Sequence, residues 1–311
     1  MSAKPLVLIC YDLLTPLRGA IEAQGYEVAL SWEMPAERAG EVRAIVHAGE
    51  MVLTPEFLSS LPNLGLIANV SAGYDGVDVP WCRAHGIEVT HSEGLNADDV
   101  ADHALGLLIG GWRNIVAGDR TVRADKWNNH ARLSPGPGLK GCKLGVMGLG
   151  HIGEAVAVRA EAFGVQVAWW GPNPKPQARW PRAASLLDLA RDSDILVVAC
   201  RADASNLKAV SAAVIEAVGP QGMIINVARG SIIDEDALVA ALKSGKLGRA
   251  GLDVFAQEPT PAERWADLTN VVVTPHTAGG TTNSLPLMIG QTFENLKRFY
   301  AGQPLASPVA A

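Results

Sequence analysis

The run Lys143-Leu-Gly-Val-Met-Gly-Leu-Gly-His-Ile-Gly153 constrains this chain more than any other stretch. Leu144 to Met147 is apolar and strand-like, Gly148, Gly150 and Gly153 stand in G-x-G-x-x-G spacing, and Glu154 to Phe163 reads as a helix rich in Ala and Val. Each glycine has its own job where a dinucleotide lies over such a turn. The first permits the tight reversal, the second lets backbone approach a pyrophosphate, and the third lets helix and strand pack closely. The helix start then offers N–H groups and a partial positive charge to the phosphates. The spacing alone is a weak signal. The strand before it, the helix after it and a second apolar run, Val165 to Trp170, make dinucleotide binding the preferred reading.

Short apolar runs alternate with helical patterns along the rest of the chain. Before the glycine run, Leu6 to Cys10, Val28 to Leu30, Ala44 to Val46, Leu66 to Asn69 and Glu88 to Thr90 are strand candidates. Thr15 to Gln24, Pro55 to Leu61 and Val79 to His85 are helical between them. After it, strands over Ile195–Ala199, Met223–Asn226, Ala250–Val254 and Val271–Thr274 alternate with helices, the last from Asn283 to Tyr300. This alternation predicts parallel sheets with helices on their faces, and 311 residues suffice for two such domains. A long helix, capped by Asn96 or Asp98, runs to Ile109, where Gly110-Gly111 weakens it. Asp102 and His103 on that helix are adjacent and face differently, so they read as capping and packing residues.

Acidic residues outnumber basic ones, 32 to 26, and the net charge of −6 gives a nucleic-acid partner no electrostatic support. No apolar run reaches the roughly 20 residues that span a bilayer. Leu6 to Cys10 is too short for a secretion-signal core. Cys10, Cys82, Cys142 and Cys200 form no C-x-x-C pair and read as reduced thiols of a cytoplasmic protein. Cys82, His85 and His91 lack a zinc spacing, so no metal is expected.

Chemistry gathers at strand ends. Arg229, Glu258 and His276 each fall just past the carboxyl end of a predicted strand in the half that carries the glycine run. Singly they read as a surface ion-pair partner, a solvated acid and a satisfied loop histidine. Jointly they are a complete set for reducing a 2-oxo acid. An arginine holds a carboxylate bidentately, a histidine passes a proton near neutral pH, and a carboxylate beside it orients the ring. Val70 to Asp78, at another strand end, reads equally as a plain turn or as an anion cradle of backbone N–H groups. Past Trp170, the loop Gly171-Pro-Asn-Pro-Lys-Pro176 offers no carboxylate to a ribose 2′-hydroxyl. Gly171, Asn173 and Lys175 are its candidate cofactor residues, with Arg179 and Arg201 as further cations. The loop favours NADP(H), with NAD(H) the alternative if Lys175 is merely solvated.

Gly148 to Gly153, Asn226-Val-Ala-Arg-Gly-Ser-Ile-Ile-Asp234, Gly251-Leu-Asp-Val-Phe-Ala-Gln-Glu-Pro259 and Thr274-Pro-His-Thr-Ala-Gly279 together resemble the D-isomer-specific 2-hydroxyacid dehydrogenase family, in order and spacing over nearly the whole chain. The resemblance implies two Rossmann-like, doubly wound parallel-sheet α/β domains, the cofactor domain inserted in a flavodoxin-like substrate domain. Residues 1–98 and 285–311 would form the substrate domain and 99–284 the dinucleotide-binding domain. It implies a homodimer built through cofactor-domain helices and the arm around residues 100 to 140. Arg229 would bind the substrate carboxylate, His276 would be the general acid/base and Glu258 its partner. Ser71, Ala72 and Gly73 would meet the substrate, which turns the tie at that loop toward function. Gly148, Leu149, Gly150, His151, Ile152 and Gly153 would cradle the pyrophosphate. Cys200 and Arg201 would skirt the adenosine, Arg201 departing from a commoner Pro. Val227, Ala228, His276 and Gly279 would line the cofactor, and Asp253 would meet the nicotinamide carboxamide.

Within the family the chain is most similar to the glyoxylate/hydroxypyruvate and 2-ketogluconate reductase branch, which mostly uses NADPH. That branch often carries Arg immediately after Gly171, where this chain has Pro172. The implied activity is hydride transfer from NAD(P)H to a small 2-oxo acid. The alternatives are an NADH-linked enzyme of other substrate range, or a dinucleotide-sensing, corepressor-like binding module. Trp81 and Leu95 are candidates for shaping the substrate pocket, and Trp127 for reaching a partner subunit.

Overall fold

The computed structural model describes residues 4–128 and 135–310. The chain divides into two compact units, Met1–Asn96 with Thr282–Ala311, and Ala97–Thr281. These boundaries precede the 98/99 and 284/285 of the sequence reading by two and three residues, the first because the long helix begins at Ala97 and belongs wholly to the second unit.

In the first unit the order is β1 (Leu6–Ile9), α1 (Arg18–Ala23), β2 (Glu27–Leu30), β3 (Val42–His47), α2 (Pro55–Ser59), β4 (Leu66–Asn69), α3 (Val79–Ala84) and β5 (Glu88–Thr90). The sheet runs β2-β1-β3-β4-β5, with every pairing parallel. This is the flavodoxin-like order, whose reversal lies between β1 and β3. β1 and β4 are buried at every position, as strands covered on both faces must be. The helix expected over Thr15 to Gln24 divides instead into a 3-10 stretch, Asp12–Leu17, and α1. Pro16 inside that stretch has no N–H for a continuous α-helical ladder.

The second unit comprises α4 (Ala97–Trp112), α5 (Ile115–Arg123), β6 (Lys143–Met147), α6 (His151–Glu161), β7 (Gln166–Trp170), α7 (Leu186–Arg191), β8 (Ile195–Val198), α8 (Ala212–Val218), β9 (Met223–Asn226), α9 (Glu235–Ser244), β10 (Arg249–Leu252) and β11 (Val271–Val273). The chain then returns to the first unit as α10 (Ser284–Tyr300). The six-stranded sheet is parallel throughout, ordered β11-β10-β9-β8-β6-β7. Strand order reverses at β6, so the crevice that binds ligands in such sheets opens at its carboxyl end. One apolar layer, with Leu108, Val156 and Ala157, covers one face, and another, with Leu189, Ile215 and Leu238, covers the other. α4 runs unbroken through Gly110-Gly111. A Cβ on Gly111 would lie 2.7 Å from the Met223 Cε, so its lack of a side chain lets the helix settle on β9 rather than ending it.

Candidate active site

The turn after β6 is built around its glycines. Gly148 has φ +92°, and a Cβ there would lie 2.4 Å from the Cβ of Cys200. A Cβ on Gly153 would lie 1.9 Å from the Gly148 carbonyl oxygen. Gly150 differs, since a Cβ on it would meet nothing within 4 Å. α6 starts at His151, earlier than the Glu154 expected, because Gly153 packs as part of its first turn. Its ladder begins with Glu154 N donating to Gly150 O at 2.9 Å. The amides of His151, Ile152 and Gly153 precede that ladder, as at any helix start. Open space at Gly150 beside a helix start is the setting in which backbone takes an anion. Leu149 is buried beneath the turn, and Cys200 is pressed against Gly148, its thiol pushed up to about 11 by burial.

Past β7 the predicted cations separate. Lys175 is exposed and its Nζ donates to Leu149 O of the glycine turn at 2.5 Å. Arg179 is bonded to Glu161 and lies 4.5 Å over the Trp180 ring, so its charge is already paired. Arg201 is exposed and faces Asp203 at 3.8 Å. Asn173 is exposed, and Gly171 is buried. Arg182, which sequence reasoning passed over, donates through Nη2 and Nε to Gly171 O at 2.7 and 3.2 Å. Only folding brings it there, through an isolated parallel bridge between Arg182 and Trp169.

The chemical set assembles at the ends of β9, β10 and β11. His276 Nδ1 and Glu258 Oε2 are 2.6 Å apart, and Glu258 Oε1 accepts from Phe255 N at 2.9 Å. Burial alone would raise the Glu258 pKa. The bonds from His276 and the Phe255 amide, with the charges of His276 and Arg229, hold it below the ordinary carboxylate range. Arg229 is half-buried, and its Nη1 donates to Ala228 O at 2.9 Å. The loop that carries it is locked to the Glu258 loop, since a Cβ on Gly230 would lie 1.9 Å from the Phe255 carbonyl carbon. Val227 and Ala228 are buried at its base, where Ala228 N donates to Asn226 Oδ1 at 3.1 Å.

His276 itself has φ +53°, a left-handed conformation uncommon outside glycine. Asp253 holds it there. The His276 amide donates to Asp253 O at 2.8 Å, while the Asp253 carboxylate accepts from Thr277 N at 3.0 Å and Ala278 N at 2.9 Å. Thr274 Oγ1 adds a bond of 2.6 Å, and His103 Nε2 lies 3.3 Å from the same oxygen. Burial would raise the Asp253 pKa, but the bonds from His103, Thr274 and the two amides hold it at about 2. With 1% of its surface exposed, Asp253 organises the loop around Gly279 and His276. His103, expected to pack, also makes a polar contact. Its Nε2 sits 2.8 Å from Thr274 Oγ1, a partner 171 residues away that no local spacing announces. Asp102 and Asp98 are bonded to Arg159 of α6.

In the first unit, Ser71 Oγ accepts from Gly49 N and donates to Gly73 O, both at 2.8 Å. The two loops interlock, and a Cβ on Gly49 would lie 2.1 Å from Gly73 O. Ser71 therefore ties the loops together. Among the described residues, the amides of Ala72 and Gly73 donate to no protein group. Trp81 stacks on His85 at 3.9 Å and packs on the sheet, and Leu95 packs beside Met288. Trp127 is exposed. No helix among the described residues is long and apolar enough to cross a membrane.

Comparison with known proteins agrees with this geometry. The family profile "D-isomer specific 2-hydroxyacid dehydrogenase, NAD binding domain" matches residues 105–278. The hydroxyphenylpyruvate reductase of Plectranthus scutellarioides is 38% identical, over 99% of this chain and 100% of that protein. The 2-ketogluconate reductase of Gluconobacter oxydans is 32% identical, also over 99% and 100%. The crystal structure of an NADPH-dependent glyoxylate/hydroxypyruvate reductase from Sinorhizobium meliloti, with NADP and malonate, superposes with TM-score 0.92 at 34% identity, over 99% of this chain and 97% of that one.

Proposed function

The chain belongs to the D-isomer specific 2-hydroxyacid dehydrogenase family and is an oxidoreductase, and from that premise we propose that it reduces a small 2-oxo acid to a D-2-hydroxy acid, with NADPH as the preferred donor. The observation that carries this reading is the short His276–Glu258 bond with the Arg229 charge beside it, in the unit that holds the glycine turn.

Gly148 to Gly153 would hold the pyrophosphate, and the loop after β7 the adenosine ribose. A bound reduced nicotinamide supplies the hydride that reaches the keto carbon. This chain's residues do the rest. Glu258 accepts a hydrogen bond from the Nδ1–H of His276, which fixes the ring and favours its protonated form. Nε2 then delivers a proton to the substrate oxygen as negative charge develops there, and the ring regains a proton from solvent. The Arg229 guanidinium holds the carboxylate and polarises the adjacent carbonyl. Asp253 keeps His276 in its left-handed conformation and would meet the carboxamide end of a bound cofactor. In the first unit, the Ala72 and Gly73 amides form an anion cradle of the kind a carboxylate takes, positioned by Ser71.

The protein acts as a homodimer in the cytoplasm. The exposed apolar residues Ile115, Val122 and Trp127, on and just after α5, support the first, as a strip that a second copy would cover. The free thiols support the second.

The test is turnover by the purified protein on glyoxylate, hydroxypyruvate, 2-ketogluconate and phenylpyruvate, with NADPH and NADH, followed by nicotinamide absorbance. Faster turnover with NADPH on any of them supports the proposal. Tight dinucleotide binding without turnover on any 2-oxo acid overturns it in favour of a binding module.

A further inference from the structure

The segment from Gly171 to Arg182 contains no Asp or Glu and three cations, Lys175, Arg179 and Arg182. Arg179 is neutralised by Glu161. Among the described residues, Lys175 and Arg182 have no carboxylate partner. Both instead donate to backbone carbonyls, one in the turn after β6 and the other at the end of β7. Lys175 Nζ reaches Leu149 O at the glycine turn, and Arg182 reaches Gly171 O and, at 3.3 Å, Pro172 O at the end of β7. Carbonyls orient a cation but leave its charge unbalanced.

Arg182 is not a loosely held surface side chain. Trp169 N donates to Pro181 O at 3.0 Å and Ala183 N to Trp169 O at 2.8 Å, so the backbone on either side is tied to β7. Its guanidinium lies 5.8 Å from the Trp169 ring centroid. These bonds use Nε and Nη2 and leave Nη1, on a group with five donors in a fixed fork. The end of the second strand is where such folds place the adenosine ribose, and an arginine near it suits a 2′-phosphate. Pro172 has neither a charge nor an N–H to offer at that place.

We propose that Arg182, with Lys175 opposite it, is the clamp for the 2′-phosphate of NADP(H), and that Arg182 sets the preference over NAD(H). The proposal rests on the dinucleotide reading above. A phosphate dianion balances both cations and takes the guanidinium fork, whereas a 2′-hydroxyl offers no charge to either.

The test is binding to the protein without substrate. NADP+, NAD+, 2′,5′-ADP and 5′-AMP are titrated calorimetrically into wild type, Arg182→Ala, Arg182→Lys and Lys175→Ala. Arg182→Ala is expected to raise the NADP+ and 2′,5′-ADP Kd on the order of ten- to a hundredfold. NAD+ and 5′-AMP should change less than about twofold, having no phosphate at that position. Arg182→Lys keeps the charge without the fork and restores part of the loss. Salt should weaken wild-type binding of NADP+ more steeply than NAD+, and the difference should shrink in Arg182→Ala. Equal losses for both dinucleotides would make Arg182 a brace for the 171–172 turn and overturn the proposal, as would no loss for either. If Arg182→Ala does not fold, the Kd ratio in Arg182→Lys and the wild-type salt slopes decide. Wild type binding NADP+ and NAD+ alike overturns only the clamp, while wild type binding neither overturns the dinucleotide reading with it.

Discussion

Replacing Gly153 by alanine puts a methyl carbon 1.9 Å from the Gly148 carbonyl oxygen, where even a close C···O contact needs about 3.3 Å. The overlap of about 1.4 Å falls on backbone, which cannot rotate away as a side chain would. Gly148 has no room to retreat, because it abuts Cys200 and its amide donates to Trp170 O at 2.8 Å. Relief requires α6 to lift from β6. Overpacking of this kind costs about 1–3 kcal/mol. At about 2–4 °C per kcal/mol for a unit of this size, the apoprotein midpoint should fall by roughly 2–12 °C. Gly150→Ala is the contrasting variant. Gly150 has φ −87° and ψ −162°, an extended conformation open to any residue, and its Cβ would touch nothing. Apoprotein stability should therefore stay within about 0.5 kcal/mol of wild type. The same methyl stands where backbone must approach the pyrophosphate, so the NADP+ Kd should rise on the order of tenfold or more. Thermal melts of the apoproteins and calorimetric titrations with NADP+ read both effects. A Gly153→Ala protein that melts with wild type, or a Gly150→Ala protein that binds NADP+ with wild-type affinity, refutes the reasoning.

His276→Ala should lower kcat by roughly 10²–10⁴-fold while the NADPH Kd holds; wild-type turnover would remove His276 from the chemistry. Reduction should fail as pH rises through the imidazole titration. Because the Glu258 carboxylate favours the protonated ring, Glu258→Gln should move that failure to lower pH, and an unshifted kcat/KM profile would contradict the pairing. Arg229→Lys keeps the charge but loses the fork, so KM for the 2-oxo acid should rise with dinucleotide affinity unchanged, as steady-state and binding measurements would tell. Asp253 has its pKa lowered to about 2 by folding, so its carboxylate stabilises the fold above its unfolded value of about 3.9, and that stabilisation is lost as pH falls through about 2. Asp253→Asn should therefore cost about 2 kcal/mol in urea unfolding at neutral pH and progressively less in acid; a pH-independent loss would point to packing instead.

The glycine turn, the βα alternation and the three chemical residues were legible from the chain alone because each rests on local rules. Glycine spacing, apolar periodicity and position just past a strand do not depend on what lies across the sheet, and the family motifs around Arg229, Glu258 and His276 are contiguous in sequence. Those rules failed where distant segments decide the outcome. Gly110-Gly111 reads as a weak point by propensity, yet the helix continues because missing side chains let it approach Met223. His103 finds Thr274 and Asp253, and Arg182 finds the end of β7, through pairings set by strand order rather than spacing. Sequence alone determined which chemistry the chain carries, since that is written in residue types at strand ends. Only the tertiary structure decided what holds His276 in its left-handed turn and which cation lies at the end of β7, because a hydrogen-bond partner is chosen by proximity in space.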